Sequence, residues 1–249
     1  MEVHHHPHVE KKSFKEYLLE GLMIFLAVSM GFIAENIREH IADGEKEIEY
    51  MKSLVEDLGV DKTVLSKQMT IYEQRFVKYD SLIDILNEPV VTERNNTYYY
   101  LGRLATKYDI FPNNTRTLDQ LKSTGAFRVI KNSKVVNNIL EYYSILPSIR
   151  QFEDIELQET NEFRKLAVQV FNGSVFNQIT DTANSANVIR PSNFPKLITT
   201  DPKILSALST WVHYIKNTRF GIYQYKKELF EKGEALSRLI KKEYHLDNE

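Results

Sequence analysis

The sequence predicts an all-α protein: an N-terminal transmembrane helix followed by an elongated helical bundle whose first and last helices are long. Three observations carry this. The run Leu18 to Ile37, LLEGLMIFLAVSMGFIAENI, holds fourteen consecutive uncharged residues between Glu20 and Glu35. The stretch after it, Glu45 to Asn87, keeps a seven-residue apolar repeat. The stretch opened by Asp201-Pro202 keeps another almost to the end of the chain. Three segments follow: a polar His-rich tail at 1–16, a span at 17–38 and a helical bundle domain at 39–249.

In the tail, His4, His5, His6 and His8 invite two readings. Neutral imidazoles bind zinc, copper or nickel, so the cluster is a candidate metal site. The plainer reading is a solvated polar tail or the remnant of an expression tag, although Pro7 interrupts the histidine run.

From Tyr17 to Ile37 the span has 21 residues, enough to cross a hydrocarbon core of about 30 Å as a helix. Lys11, Lys12 and Lys15 before it would also suit the basic region of a signal peptide. Glu20 and the lack of a convincing small-x-small cleavage site favour an uncleaved anchor. Lys11, Lys12 and Lys15 on one side nearly balance Arg38, Lys46 and Lys52 on the other, so positive-inside counting alone is a tie. Between Glu35 and Asp61, however, nine acidic residues face only three basic ones. The expected arrangement is an inner-membrane, single-pass protein with a cytoplasmic N-terminus and an extracytoplasmic C-terminal domain.

Glu20, Ala27 and Ala34 fall seven residues apart, with Gly31 four after Ala27, a spacing of small residues that lets helices approach closely in lipid. A glutamate within a span is a functional-site hypothesis by default. Glu20 and Glu35 either sit at the two interfaces, take part in helix association, or couple to ion or proton movement.

Through Glu45–Asn87, with Ile48 at position a, the a and d positions are apolar except for Lys62, which points to a coiled coil or long bundle helix. The same register runs back through Ile41, Ala34 and Ala27 to Glu20, so anchor and first bundle helix read as one rod weakened at Gly44. Pro89 ends it. A helix is expected over Arg94–Tyr108. A short one follows, capped by Thr115 or Thr117 and stopped at Gly125, then an extended connector at Phe127–Ile130. Asn132 or Ser133 caps a helix closed by Pro147, and Ser148 caps the next, to about Phe171. Ser174–Thr200 reads as a long loop, a form that tends to be functional or disordered. Asp201 with Pro202 is a strong helix start, and the last helix carries the stripe Leu208, Trp211, Ile215, Thr218, Ile222, Tyr225, Leu229, Lys232, Leu236 and Leu239, apolar at all but Thr218 and Lys232.

The run Thr117-Leu118-Asp119-Gln120-Leu121-Lys122-Ser123-Thr124-Gly125, followed by Ile130, Asn132 and Tyr142-Tyr143, resembles a family of uncharacterised bacterial single-span membrane proteins with a domain of unknown function. The resemblance extends to Glu20 early in the span and Asn36 at its exit. It departs where that family has an asparagine pair and a tryptophan, since this chain has Asn36-Ile37-Arg38-Glu39. The resemblance implies a membrane-anchored helical domain and no reaction.

Composition narrows the chemistry. The 32 basic and 34 acidic residues are evenly spread, leaving no basic face for nucleic acid. The absence of cysteine removes disulfides, thiolate catalysis and Cys-ligated metal centres. No phosphate-binding glycine loop, G-x-S-x-G elbow or H-E-x-x-H motif is present. Glu153, Glu156, Glu159 and Glu162 read as a solvated acidic face, with a cation site as the alternative, and His213 as a packed or half-buried residue rather than a catalytic base. The expectation is a non-enzymatic scaffold, sensor or interaction protein with no cofactor and no small-molecule substrate identified. Its partners would be the membrane and either a second copy or a membrane complex. The alternatives are a subunit of an ion-coupled machine using Glu20 and a metal-responsive protein using the histidine tail.

Overall fold

The computed structural model describes residues 13–181 and 187–246. Among them are seven α-helices and two short 3-10 turns, with no strand beyond one isolated bridge between Thr180 and Val188. The fold is all-α with long first and last helices, as the apolar periodicities predict. By its contacts the chain divides between Tyr50 and Met51, and helix α1 (Phe14–Asn87) contributes to both units.

In the first unit α1 is continuous through Gly44. Its apolar side chains, Leu22, Phe25, Phe32 and Ile33 among them, are exposed all round the helix.

The second unit is built on the rest of α1 and on α7 (Pro202–Glu243), which run antiparallel in heptad steps. Asn87 Nδ2 donates to Ser209 Oγ at 2.8 Å, Lys216 Nζ to Asp80 Oδ1 at 2.5 Å, and the Tyr223 hydroxyl to Glu73 Oε1 at 2.7 Å. Seven residues back along α1 thus match seven forward along α7, the spacing that keeps two seams facing each other. Phe76 sits edge-on to both Phe220 and Tyr223. Helices α4 (Ser133–Ser144) and α5 (Leu146–Val170) both pack against α7.

The shorter elements are α2 (Asn95–Ala105), α3 (Arg116–Ser123) and α6 (Gly173–Gln178). Around α2 and α6, Tyr79, Leu82, Leu86, Tyr98, Tyr99, Phe163, Phe171, Leu208 and Val212 form a continuous apolar core. Gly102 of α2 exists because the Phe171 ring lies where a Cβ would go, 2.5 Å from that position.

The expected caps are largely in place. Asn132 Oδ1 accepts from the amides of Lys134 and Val135, and Asp201 Oδ1 from that of Lys203. Gly125 takes the left-handed conformation (φ 67°) after α3. Five readings change. Residues 126–129 form a 3-10 turn rather than an extended connector. Pro147 does not close α4, nor does Ser148 cap α5: both sit in the first turn of α5, where the missing N–H of Pro147 breaks no helical bond. Thr115 and Thr117 do not cap α3 with their side chains; Asp57 of α1 accepts from the Thr117 amide at 3.0 Å and from its hydroxyl at 2.5 Å. Part of the expected loop is α6, and its later part is tied down by Tyr99, whose hydroxyl donates to the Lys196 carbonyl.

The seam of α1 also differs from the a/d reading. The d residues Met51, Leu58, Leu65, Tyr72, Tyr79 and Leu86 are buried, but so is the row Leu54, Asp61, Gln68, Arg75 and Leu82. Of the a residues, Ile48 and Lys62 are exposed and Val55, Met69, Phe76 and Ile83 are half-buried. A corresponding shift occurs on α7, where Val212, Arg219, Lys226 and Ile240 share the interior with the predicted leucine and isoleucine stripe. Polar residues can occupy these rows only because each finds a partner inside.

Candidate functional site

The polar interior of the second unit begins at Arg219. Its side chain is fully buried, and Nε donates to Glu156 Oε1 at 2.6 Å. One guanidinium nitrogen bonds the Tyr79 hydroxyl, and the other donates to the Lys107 carbonyl at 2.7 Å. The guanidinium also lies over the Tyr79 ring, 4.9 Å from its centre. Burial by itself would ease the proton off Arg219, but Tyr79 and Glu156 outweigh it and hold the pKa above its ordinary value.

Seven residues on, Lys226 repeats the arrangement. Its Nζ lies 3.3 Å from Glu153 Oε1 and 5.1 Å from the centre of the Tyr72 ring. Burial pulls the Lys226 pKa down, with Glu153 opposing; burial pushes the Glu153 carboxyl up, with Lys226 opposing. Glu153 Oε1 also accepts from the Phe111 amide at 2.9 Å, fixing the segment between α2 and α3. Arg75 of α1 pairs with Asp109 on that same segment.

A second cluster lies nearer the start of this unit's share of α1. Asp57 accepts from Thr117 and from Asn114 Nδ2 at 2.7 Å, and lies 2.9 Å from Arg116. Asp61 accepts from the Asn114 amide at 2.9 Å and the Tyr142 hydroxyl at 2.8 Å. Burial raises the Asp61 pKa and the Asp57 charge adds to it, while the Tyr142 and Asn114 bonds oppose.

These charges correct the reading of α5 as a solvated acidic face. Glu156 is buried, Glu153 and Glu159 are half-buried, and burial pushes Glu159 up as well. Only Glu162 behaves as a surface residue, pairing with Lys165 at 2.6 Å. His213, expected to be packed or half-buried, is exposed, with Nε2 3.1 Å from Asn217 Nδ2.

Comparison of the chain with family models, curated proteins and solved structures gave no match.

The residues singled out in the span all lie on α1. Ala27, Gly31, Ala34 and Glu35 are exposed, and Glu20 is half-exposed. Glu20, Ala27, Gly31 and Ala34 share one helical face by their spacing. Glu35 accepts from Arg38 Nε at 2.9 Å, one turn along. His4, His5, His6 and His8 lie outside the described residues. Among the described residues no group of three His, Asp or Glu side chains is placed to hold a metal. Sequence reasoning did not mark Asp57, Asp61, Arg75, Arg219 and Lys226 as interior charges, and Glu153 and Glu156 read as solvated. The available signal was the spacing of Arg219 and Lys226, seven apart and in line with Val212 and Ile240.

Proposed function

We propose that the chain is a non-enzymatic, single-pass membrane protein of a bacterial inner membrane whose helical domain acts as a scaffold or sensor for a partner. The carrying observation is in α1, where an 18-residue window of mean hydropathy 1.9 has none of its residues buried. An uncovered apolar run of that length is costly in water and is satisfied by lipid. The acidic excess after the span supports a cytoplasmic N-terminus and an extracytoplasmic domain. The resemblance to uncharacterised single-span proteins supports the same architecture. In the domain, Ile189, Phe194 and Ile198 expose apolar side chains within the 174–200 region, which supports this stretch as the partner contact.

Fractionation of native membranes tests the anchor. The intact chain, with its N-terminal residues present by mass spectrometry, stays in the pellet after alkaline carbonate extraction. Release of the chain, or loss of the span from the mature protein, overturns the reading. Reporter fusions at both ends test sidedness, and a cytoplasmic C-terminus reverses it.

A further inference from the structure

Four cationic side chains line a cavity of about 310 Å³ in the second unit. Arg75 comes from α1, Arg103 from the last turn of α2, Lys107 from just beyond it and Arg164 from α5; Thr106, Tyr108 and Asp109 complete the lining. Asp109 is the one carboxylate among these lining residues, and it is engaged by Arg75. Of these cations, Arg75 is answered by Asp109, while Arg103 and Arg164 stand close enough to act on one another.

Burial makes this arrangement costly. Arg75 is buried, and Arg103, Lys107 and Arg164 are half-buried. Burial and the neighbouring Arg164 pull the Arg103 pKa down. Lys107 is pulled the same way by burial and by Arg103, Arg75 and Arg164. Like charges held together in a partly desolvated site repel strongly and are normally offset by an anion.

Capping of α2 is the rival explanation, because cations favour a helix C-terminus. It accounts for Arg164, whose Nη2 donates to the Thr106 carbonyl at 2.9 Å, and in part for Arg103, whose Nη1 donates to Thr106 Oγ1 at 2.9 Å. It does not account for Arg103 Nε, which is buried with no hydrogen-bond partner.

We infer that this cavity binds a small phosphate-type dianion, as the free anion or as the phosphate of a lipid headgroup. The volume sits at the lower end of small-molecule sites, which start at about 300 Å³. Guanidinium forks match the oxygen geometry of phosphate, and a dianion answers both Arg103 and Arg164 where a monocarboxylate answers one. The site does not depend on the membrane reading, since all its residues lie in the second unit.

The test uses the full chain in neutral detergent, with thermal unfolding followed against inorganic phosphate at constant ionic strength set by chloride. Melting temperature rises with phosphate and keeps rising with the logarithm of its concentration above saturation. The Arg103→Gln variant melts at or above the parent without phosphate, because one repelling cation is gone, and its phosphate response weakens at least about tenfold, the loss expected when a charge-assisted bond to the anion is removed. Lys107→Gln supplies the same response measurement should Arg103→Gln fail to fold.

A parallel arm places the chain in phosphatidylcholine nanodiscs with and without phosphatidate. Stabilisation by phosphatidate that Arg103→Gln abolishes, without any by inorganic phosphate, assigns the site to a headgroup; the opposite pattern assigns it to the free anion. The inference is overturned if neither probe stabilises the chain, or if chloride titrated alone does as well as phosphate. It is also overturned if Arg103→Gln leaves the response intact.

Discussion

Arg219 Nε reaches Glu156 Oε1 at 2.6 Å, with both side chains out of contact with solvent, joining α7 to α5 through the centre of the domain. Removing one member leaves the other charged and unpaired. Arg219→Met or Glu156→Leu alone is expected to cost about 3–5 kcal/mol, whereas the double variant recovers most of that loss. Urea unfolding of the four proteins in a double-mutant cycle measures it. A double variant as unstable as the sum of the singles refutes the coupling.

Asp61 gives the domain a pH dependence of unusual sign on the acid side. Its pKa is raised in the folded chain, chiefly by burial. Between the ordinary carboxylate value and the raised one, the native state holds a proton that the unfolded state has lost. Its contribution therefore falls as pH climbs through that window and is regained on acidification. Lys226 acts in the alkaline range: its lowered pKa makes the unfolded state the better proton binder, so stability rises with pH up to the ordinary lysine value. The stability difference between the parent and Asp61→Asn should thus shift toward the parent as pH drops from neutral into the acid range. Urea midpoints of the two proteins across pH give the answer, and a constant difference rules the account out.

Two glycines should respond oppositely to alanine. At Gly221 a Cβ would come 2.6 Å from the Phe152 ring, whereas at Gly59 in α1 nothing lies within 4 Å. Gly221→Ala overpacks the α5–α7 contact and is expected to cost about 1–3 kcal/mol. Gly59→Ala is expected to gain about 0.5–1 kcal/mol from helix preference alone. Paired denaturation curves decide it; a neutral Gly221→Ala would mean that Phe152 swings aside freely.

The small-residue face of the span makes a separate prediction. If helices associate along Ala27, Gly31 and Ala34, leucine at Ala27 and Gly31 keeps their backbones apart. Crosslinking in native membranes should capture a higher-order species for the parent and about tenfold less for the double leucine variant, a difference of roughly 1.4 kcal/mol. Equal crosslinking of the two proteins excludes this face.

How far the sequence led depends on which signal a segment carried. Helix ends set by local chemistry, such as Asn132, Asp201-Pro202 and Gly125, appear where their backbone needs placed them. The d stripe of α1 and the row Leu208, Ile215, Ile222, Leu229 and Leu236 of α7 are buried as their apolarity dictates. The interior charges were not legible, because Arg75 or Glu156 viewed along one helix has no visible partner. The partner stands on another helix: Asp109 is 34 residues from Arg75, and Arg219 is 63 from Glu156. Hydropathy assigns such residues to water, and only their shared line with Val212 and Leu82 hinted otherwise. The cap of α3 escaped for the same reason.

That borrowed cap has a consequence for the order in which the domain assembles. Helix α3 has eight residues, too few to persist alone in water, and the carboxylate that stabilises its first turn lies 60 residues earlier in the chain, at Asp57. The loop must close before the turn gains its bond. The first turn of α3 thus waits on a tertiary contact rather than helping to nucleate one. Substitutions at Thr117 should accordingly speed unfolding while leaving the refolding rate nearly untouched.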